Sequence, residues 1–281
     1  MKTTIYLMMM LNLIFFASCD SPEKVKDEDE RGETMAVDSP GMDNVFRGNS
    51  MEQGGITLSI VKGAKQFENA SLKLNEPADG AALEPGKINY TFEVSDYNLG
   101  EQTPDADQMG LANSPDGQHI HLIINNGPYS AHYSPQFQKE MEAGKHVVLA
   151  FLSRSYHMSL KNKNAMVLRQ VTVGDGKSGP DFNMDDPHLF YSRPKGEYKG
   201  KKQTDKVLLD FYLHNVELGQ NGNKVKATIN GNEFILSRWV PYAMEGLPMG
   251  ENTVKIELID EDGNVIPGPF NSTTRTFTLS E

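Results

Sequence analysis

An internal repeat constrains this chain more than any other feature of its sequence. Leu72-Lys73-Leu74-Asn75-Glu76-Pro77 precedes Tyr90-Thr91-Phe92-Glu93-Val94, and Leu189-Phe190-Tyr191-Ser192-Arg193-Pro194 precedes Leu209-Asp210-Phe211-Tyr212-Leu213 in the same order. Both copies then reach a Leu-Gly pair, Leu99-Gly100 and Leu218-Gly219. Later positions coincide at an offset of 106: Gly144 with Gly250, Arg169 with Arg275, Val171 with Phe277, Val173 with Leu279. A duplicated unit has to satisfy the same packing rules twice, so one architecture must serve both copies.

Within each copy, runs of four to eight residues alternate apolar and polar and are rich in Val, Ile, Phe and Thr. Clusters of Gly, Pro, Asn and Asp bound them, as in Asp260-Glu261-Asp262-Gly263-Asn264. A period of two with turn residues at short intervals predicts strands, and no 3.6 period is sustained. Six or seven short strands in about a hundred residues fit an immunoglobulin-like β-sandwich. The expected fold is therefore all-β, with two tandem immunoglobulin-like β-sandwich domains over 55–175 and 186–281, joined by a linker at 176–185. A further strand over Ile56–Val61 is expected ahead of the first copy. With a single Cys in 281 residues, the disulfide of antibody domains is absent and a Cys-based zinc site is excluded. The copies differ in one place. Sixteen residues separate Gly100 from Gly117 but two separate Gly219 from Gly222, so the first copy carries an insertion at about 101–116.

The one Cys sits where an address would be written. Lys2 is followed by a mostly apolar run from Ile5 to Phe16, too short at ~1.5 Å per residue to cross a bilayer core of ~30 Å. Residues 1–18 read as a lipoprotein signal peptide, and Phe16-Ala17-Ser18-Cys19 resembles a lipobox in which Cys19 is lipidated. The membrane would be a partner through that anchor, without being spanned. Asp27-Glu28-Asp29-Glu30 and the neighbouring Ser, Pro and Gly make 19–54 an acidic, disordered tether. The expected location is the cell envelope, on the outer membrane. A formal charge of −11 argues against general nucleic-acid binding, which needs clustered Lys and Arg.

Five of the seven His lie between 119 and 157. His119 and His121 share a strand face because the side-chain period is two. The second copy places Lys224 and Lys226 at those positions, and lysines are rarely buried, so this face is expected to meet solvent. Two readings stand. One is an exposed polar strand; the other is a copper or zinc ion held by His119 and His121 with His146 or His157. A second asymmetry lies beside it. Val147-Val148-Leu149-Ala150-Phe151-Leu152 is apolar on both faces, whereas its counterpart Thr253-Val254-Lys255-Ile256-Glu257-Leu258 alternates. The outer face of the first strand is expected to be covered, by the insertion or by the other domain.

Other candidates are Trp239, Tyr242 and Tyr212 as an aromatic platform for a glycan or peptide, and Asp181 to Asp186 as a source of calcium ligands that lacks the EF-hand pattern. The chain contains no G-x-S-x-G, P-loop or H-E-x-x-H motif, so a binding protein is expected rather than an enzyme.

Gly117-Gln118-His119-Ile120-His121-Leu122-Ile123-Ile124, Ser153-Arg154-Ser155-Tyr156-His157, the Leu189–Gly196 stretch and Gly246-Leu247-Pro248-Met249-Gly250-Glu251-Asn252 resemble a family of uncharacterised Bacteroidota lipoproteins. The resemblance covers about 55–281, and its first half is also similar to small secreted domains with a His-rich strand. Some members of the family carry the general label phosphopeptide-binding protein. That label implies phosphate contacts, for which Arg154, Arg169 and Arg193 are the candidates. The function expected from the whole is a lipid-anchored envelope module that binds a protein or glycan, with metal binding and phosphopeptide binding as alternatives.

Overall fold

The computed structural model describes Phe46 and residues 48–281. The 1–18 segment, Cys19 and most of the 19–54 tether lie outside the described residues. All described residues belong to one compact unit. Among them no helix is long and apolar enough to cross a membrane.

A hairpin comes first, β1 (Ser50–Gln53) and β2 (Ile56–Ile60). The first module follows: β3 (Ser71–Glu76), β4 (Ala82–Leu83), β5 (Gly86–Ser95), the short α1 (Ala106–Met109), β6 (His119–Ile124), β7 (Ser130–His132), β8 (Gln136–Met141), β9 (Gly144–Ser153) and β10 (Met166–Val173). The second module repeats the series: β11 (His188–Arg193), β12 (Gly196–Lys199), α2 (Lys201–Thr204), β13 (Val207–His214), β14 (Lys224–Ile229), β15 (Asn232–Leu236), β16 (Tyr242–Glu245), β17 (Gly250–Ile259) and β18 (Ser272–Ser280).

The sheets match strand for strand. In the first module β3-β5-β8 faces β4-β10-β9-β6-β7; in the second β11-β13-β16 faces β12-β18-β17-β14-β15. Each module has a register shift late in its first strand, at Leu74/Glu76 and at Tyr191/Arg193. Each also closes one sheet with a parallel pair, β4 on β10 and β12 on β18. The alternation read from the sequence fills both interiors. Ile120, Leu122, Val148, Ala150 and Leu152 point into the first core, and Val225, Ala227, Val254, Ile256 and Leu258 into the second. The fold is two tandem immunoglobulin-like sandwiches.

Two boundaries differ from the sequence reading. The strand expected over 56–61 is present as β2, but it extends the second sandwich rather than the first, pairing antiparallel with β16 from Tyr242↔Ile60 to Glu245↔Thr57. Alternate residues Ile56 and Leu58 drop into the second core. The tether also ends earlier than residue 54. β1 pairs with β2, and Phe46 is buried edge-on to Tyr242 at 5.3 Å. An apolar ring that completes a core orders the backbone on either side of it.

The modules are joined face to face. Val147, Leu149 and Phe151 on the outer face of β9, with Ile123 and Tyr129, pack on Phe190, Tyr212 and Phe270 of the second module. The second module, not the insertion, thus covers this strand, and Phe151 stacks on Tyr212 at 4.9 Å. A buried ion pair pins one end: Lys161 Nζ donates to Asp210 Oδ1 at 2.6 Å, and Ser159 N to its Oδ2 at 3.0 Å. At the other end Tyr191 N donates to Asn126 Oδ1 at 2.8 Å.

The linker residues are folded onto the same seam. Phe182 stacks on His188 at 3.9 Å and its carbonyl accepts from Gln170. Asn183 Nδ2 donates to Asp186 and the Asn183 carbonyl accepts from His188. Within the Asp181–Asp186 stretch Asn183 bonds to Asp186 and Asp185 N, and among the described residues its carboxylates do not converge on a shared ion position.

Candidate metal centre

Strand β6 brings His119 and His121 to one face, as its period of two requires, and both are fully buried. Expected exposure of this face is thereby corrected, for two reasons. The second module covers its continuation at Ile123, and of the two lysines that prompted the expectation Lys224 is itself buried, with Nζ donating to Gly222 O at 2.8 Å, while Lys226 is half-buried.

The third histidine arrives on a turn. After β9 the chain reverses through Arg154–Met158, with Arg154 N bonded to Met158 O and His157 N to Arg154 O, both at 2.9 Å. His157 sits there at φ +64, the left-handed region that non-glycine residues occupy uncommonly. The insertion holds this turn. Thr103 and Ser155 exchange hydrogen bonds of 3.2 and 2.9 Å, Ser114 N donates to Ser155 O, and Tyr156 Oη donates to Asp105. Met109 and Leu111 pack against Tyr156, Met158 and Leu208. The base of the insertion is closed at Gly117, at φ +87, where a Cβ would lie 2.6 Å from Glu101 O and the Gly100 carbonyl. The fourteen extra residues of the first copy therefore build the support of His157.

Three nitrogens meet. His119 Nε2 lies 2.9 Å from His121 Nε2 and 3.1 Å from His157 Nδ1. The donor atoms of all three fall within 4.8 Å of one another. A metal at about 2.0–2.1 Å from each nitrogen in tetrahedral geometry places its donors about 3.3–3.4 Å apart, close to the 2.9 and 3.1 Å separations about His119, and the widest pair of the three would draw in from within 4.8 Å on binding. The tautomer fits as well. His119 Nδ1 donates to Gly117 O at 2.8 Å, which leaves Nε2 a bare lone pair, the backbone-to-histidine arrangement that orients ligands in metal sites. Two neighbouring ring nitrogens aim at that one lone pair, and one proton satisfies only one of them. A cation accepts electron density from all three. His121 Nδ1 is buried without a partner.

Metal ligation needs neutral imidazoles. Burial lowers His119 to about 4 and holds His121 and His157 well below the usual histidine range, with Arg193 adding to the effect at each. The surroundings are aromatic. Tyr129 stacks on His121 at 3.7 Å, Phe151 meets the same ring edge-on at 5.2 Å, and Tyr133 lies 5.1 Å from His119.

His146 is not part of the cluster. Its Nε2 donates to Glu142 O at 2.9 Å and its Nδ1 accepts from Asn125 Nδ2 at 3.0 Å, which fixes it at the far end of β9. Arg154 is buried and binds carbonyls, with Nε on Lys65 O at 2.8 Å and Nη1 on Ser159 O at 3.0 Å. Arg169 likewise donates to Pro77 O. Both guanidinium groups serve the chain and neither presents a phosphate site. Arg193 is different: it donates to Tyr198 Oη at 2.7 Å, its Nε has no partner, and it stands 5.3 Å over the Tyr129 ring beside the histidines. Tyr242 belongs to the second core, its hydroxyl on Arg238 O, so it forms no platform. Trp239 and Tyr212 meet edge to face at 5.0 Å and border an open cleft of about 810 Å³ with Lys161 and His214.

The aromatic and cationic partners of the histidines, Tyr129, Arg193 and Lys195, were not linked to them by sequence. They come from a loop of one module and a strand end of the other, and no spacing relates those segments. The apolar outer face of β9 was the one available signal, since it marks where the second module lands.

No protein-family model matches this chain, and neither does any curated protein. Solved structures do. The chain is similar to fibronectin(III)-like modules of CbhA from Clostridium thermocellum, at 10% identity and a TM-score of 0.26 over 74% of this chain and 94% of that one. It is similar to SGBP-B of a Bacteroides ovatus mixed-linkage glucan utilization locus, solved with a mixed-linkage heptasaccharide, at 13% identity and 0.23 over 75% and 48%. It is also similar to dimeric latent PorU from Porphyromonas gingivalis, at 13% identity and 0.25 over 74% and 20%. It thus spans about half of the glucan-locus protein and a fifth of PorU. Strand order and pairing define the class: tandem immunoglobulin-like β-sandwiches. Likeness at these TM-scores adds nothing to that.

Proposed function

We propose that this protein binds a single transition-metal ion, copper or zinc, at His119, His121 and His157. One observation carries the reading: three histidine nitrogens, two on fully buried rings and one on the half-buried His157, converge around one bare lone pair at 2.9 and 3.1 Å. Two strand residues and one turn residue supply the donors, and a dedicated insertion supports the turn. The protein acts by holding the ion, with the second module serving as the wall that excludes water. The lipobox-like Phe16-Ala17-Ser18-Cys19 supports attachment of this module to the envelope through Cys19; mass spectrometry of the mature N-terminus finding unmodified Cys19 would reject that part.

The metal reading is tested by titrating the purified full-length chain with Zn²⁺ and with copper in chelator-free buffer. One equivalent is expected to bind. His157→Asn is the informative variant, because Asn tolerates the left-handed turn while removing the imidazole. It is expected to weaken binding about 100-fold or more, and unchanged affinity would reject the site.

A second reading follows from the open cleft bordered by the partly buried Trp239, whose indole and the neighbouring Lys161 and His214 suit a glycan or peptide partner. A glycan array that Trp239→Ala leaves unchanged would remove it.

A further inference from the structure

We infer that the ion this centre is built to hold is monovalent copper. The inference rests on the three-histidine reading above and adds the charge of the ion to it.

Donor type does not choose the metal, since imidazole serves zinc and copper alike. Charge does. Among the described residues the cluster contains three neutral imidazoles and no carboxylate. A divalent ion there would keep its full charge, since neutral donors cancel none of it.

The ring that covers His121 also carries positive charge. Lys195 Nζ lies 4.3 Å and Arg193 Cζ 5.3 Å from the centroid of Tyr129, which is stacked on His121. Lys195 is fixed there by donating to Tyr129 O at 2.6 Å, and Arg193 by its bond to Tyr198 Oη. Both cations come from the second module and face the histidines of the first.

The shell is aromatic and closed on its strand side. His119 and His121 are fully buried, with Tyr129 and Phe151 against them. In such a medium the cost of burying an ion rises steeply with its charge, and repulsion from the buried Arg193, with Lys195 at the solvent edge, adds to it. Both effects penalise Zn²⁺ and Cu²⁺ more than Cu⁺. The site pairs nitrogen donors that bind copper with an electrostatic setting that disfavours dications relative to Cu⁺.

The test compares ions in one protein. Purified full-length chain is titrated anaerobically with Cu⁺ against bicinchoninate, and separately with Zn²⁺ against a chromophoric chelator. Expected is one equivalent of each, with Cu⁺ bound at least 100-fold more tightly. Lys195→Glu then asks whether charge sets that gap. Lys195 is exposed, so circular dichroism should show the fold intact. The change removes a cation and adds an anion, which acts twice as strongly on a dication, so the gap is expected to narrow about tenfold. Zn²⁺ bound as tightly as Cu⁺, or a gap that Lys195→Glu leaves unmoved, overturns the monovalent assignment and leaves the three-histidine site standing. Failure of the wild-type chain to bind either ion overturns both.

Discussion

Apart from the β1–β2 hairpin added on β16, the two modules share their strand pairings, and they part company on one outer surface. At the positions of His119, His121 and Ile123 on β6, the second module has Lys224, Lys226 and Thr228 on β14. At the positions of Val147, Leu149 and Phe151 on β9 it has Thr253, Lys255 and Glu257 on β17. In the second module that surface carries a lattice of opposite charges, with Lys226 3.2 Å and Lys255 2.7 Å from Glu257. In the first it is roofed by the other module. One backbone thus supports a wet face in one copy and a dry one in the other, and the dry one gathers the imidazoles. The comparison separates what the fold demands, an alternating inner face, from what each copy is free to do outside it.

Making the dry face resemble the wet one should have the largest effect. Phe151→Glu places at β9 the residue that its counterpart position uses. On β17 that carboxylate has two lysines beside it; on β9 it would be enclosed by Tyr212 and Ile123. Loss of the ring alone costs about 3–5 kcal/mol, and an unpaired buried charge adds to that. The expected outcome is that the single urea transition splits in two as the modules part. A single transition at an unchanged midpoint would show that the roof contributes little.

Asp210→Ala attacks the same interface through its ion pair. Asp210 is fully buried and receives Lys161 from the other module, whose ammonium also lies 5.1 Å from the Trp239 ring. Removing one partner of a buried pair costs about 3–5 kcal/mol, because the remaining charge is left without compensation. Lys161 is partly open to the cleft, with 19% of its side chain exposed, so the lower end of that range is expected. Replacing both partners together, with Lys161→Met and Asp210→Leu, should recover most of the loss in thermal denaturation. Failure to recover would mean that the hydrogen bonds Ser159 N donates to Asp210 and Phe211 O accepts from Lys161 matter more than the charges.

Gly117→Ala probes the insertion that the second copy lacks. A Cβ there meets Glu101 O at 2.6 Å, at a backbone φ of +87 that disfavours a side chain. A cost of about 1–3 kcal/mol is expected. The same peptide accepts the bond from His119 Nδ1, so metal affinity should fall together with stability. A loss of stability with affinity untouched would detach the insertion from the site.

These differences explain which parts of the molecule could be read in advance. The repeat and the period of two were sufficient for two sandwiches and for placing His119 beside His121, because both follow from local alternation. The burial of those histidines was not legible from their own strand. Lys224 at the equivalent position looks like a solvent marker, yet its stem is buried and its ammonium reaches back to Gly222 O. Choosing His157 over His146 required knowing that β9 is long enough to carry the two to opposite ends. The contribution of β1 and β2 to the second sandwich was hidden for a related reason: an edge strand pairs with whatever edge is free, and β16 lies almost two hundred residues away.

The smallest effect comes from attempting the reverse transformation. Lys224→His with Lys226→His writes the His-x-His strand into the second module, and the shared period of two puts both rings on one face. Strand geometry is then identical, yet three things remain missing. With two residues between Gly219 and Gly222 there is no insertion, so nothing supports a turn like Arg154–Met158. The turn after β17, Asp260 to Asn264, offers no histidine and lies exposed. Glu257 sits across from position 226, and its carboxylate would draw an introduced imidazole toward the protonated form. Stability should change by about 1 kcal/mol, since the Lys226–Glu233 pair lies near the surface and the buried Glu257 keeps Lys255 at 2.7 Å. Metal binding by this double variant should match that of wild type, one equivalent and no second site. A second tight equivalent in the titration would show that the His-x-His strand suffices, and that the roof and the insertion serve stability alone.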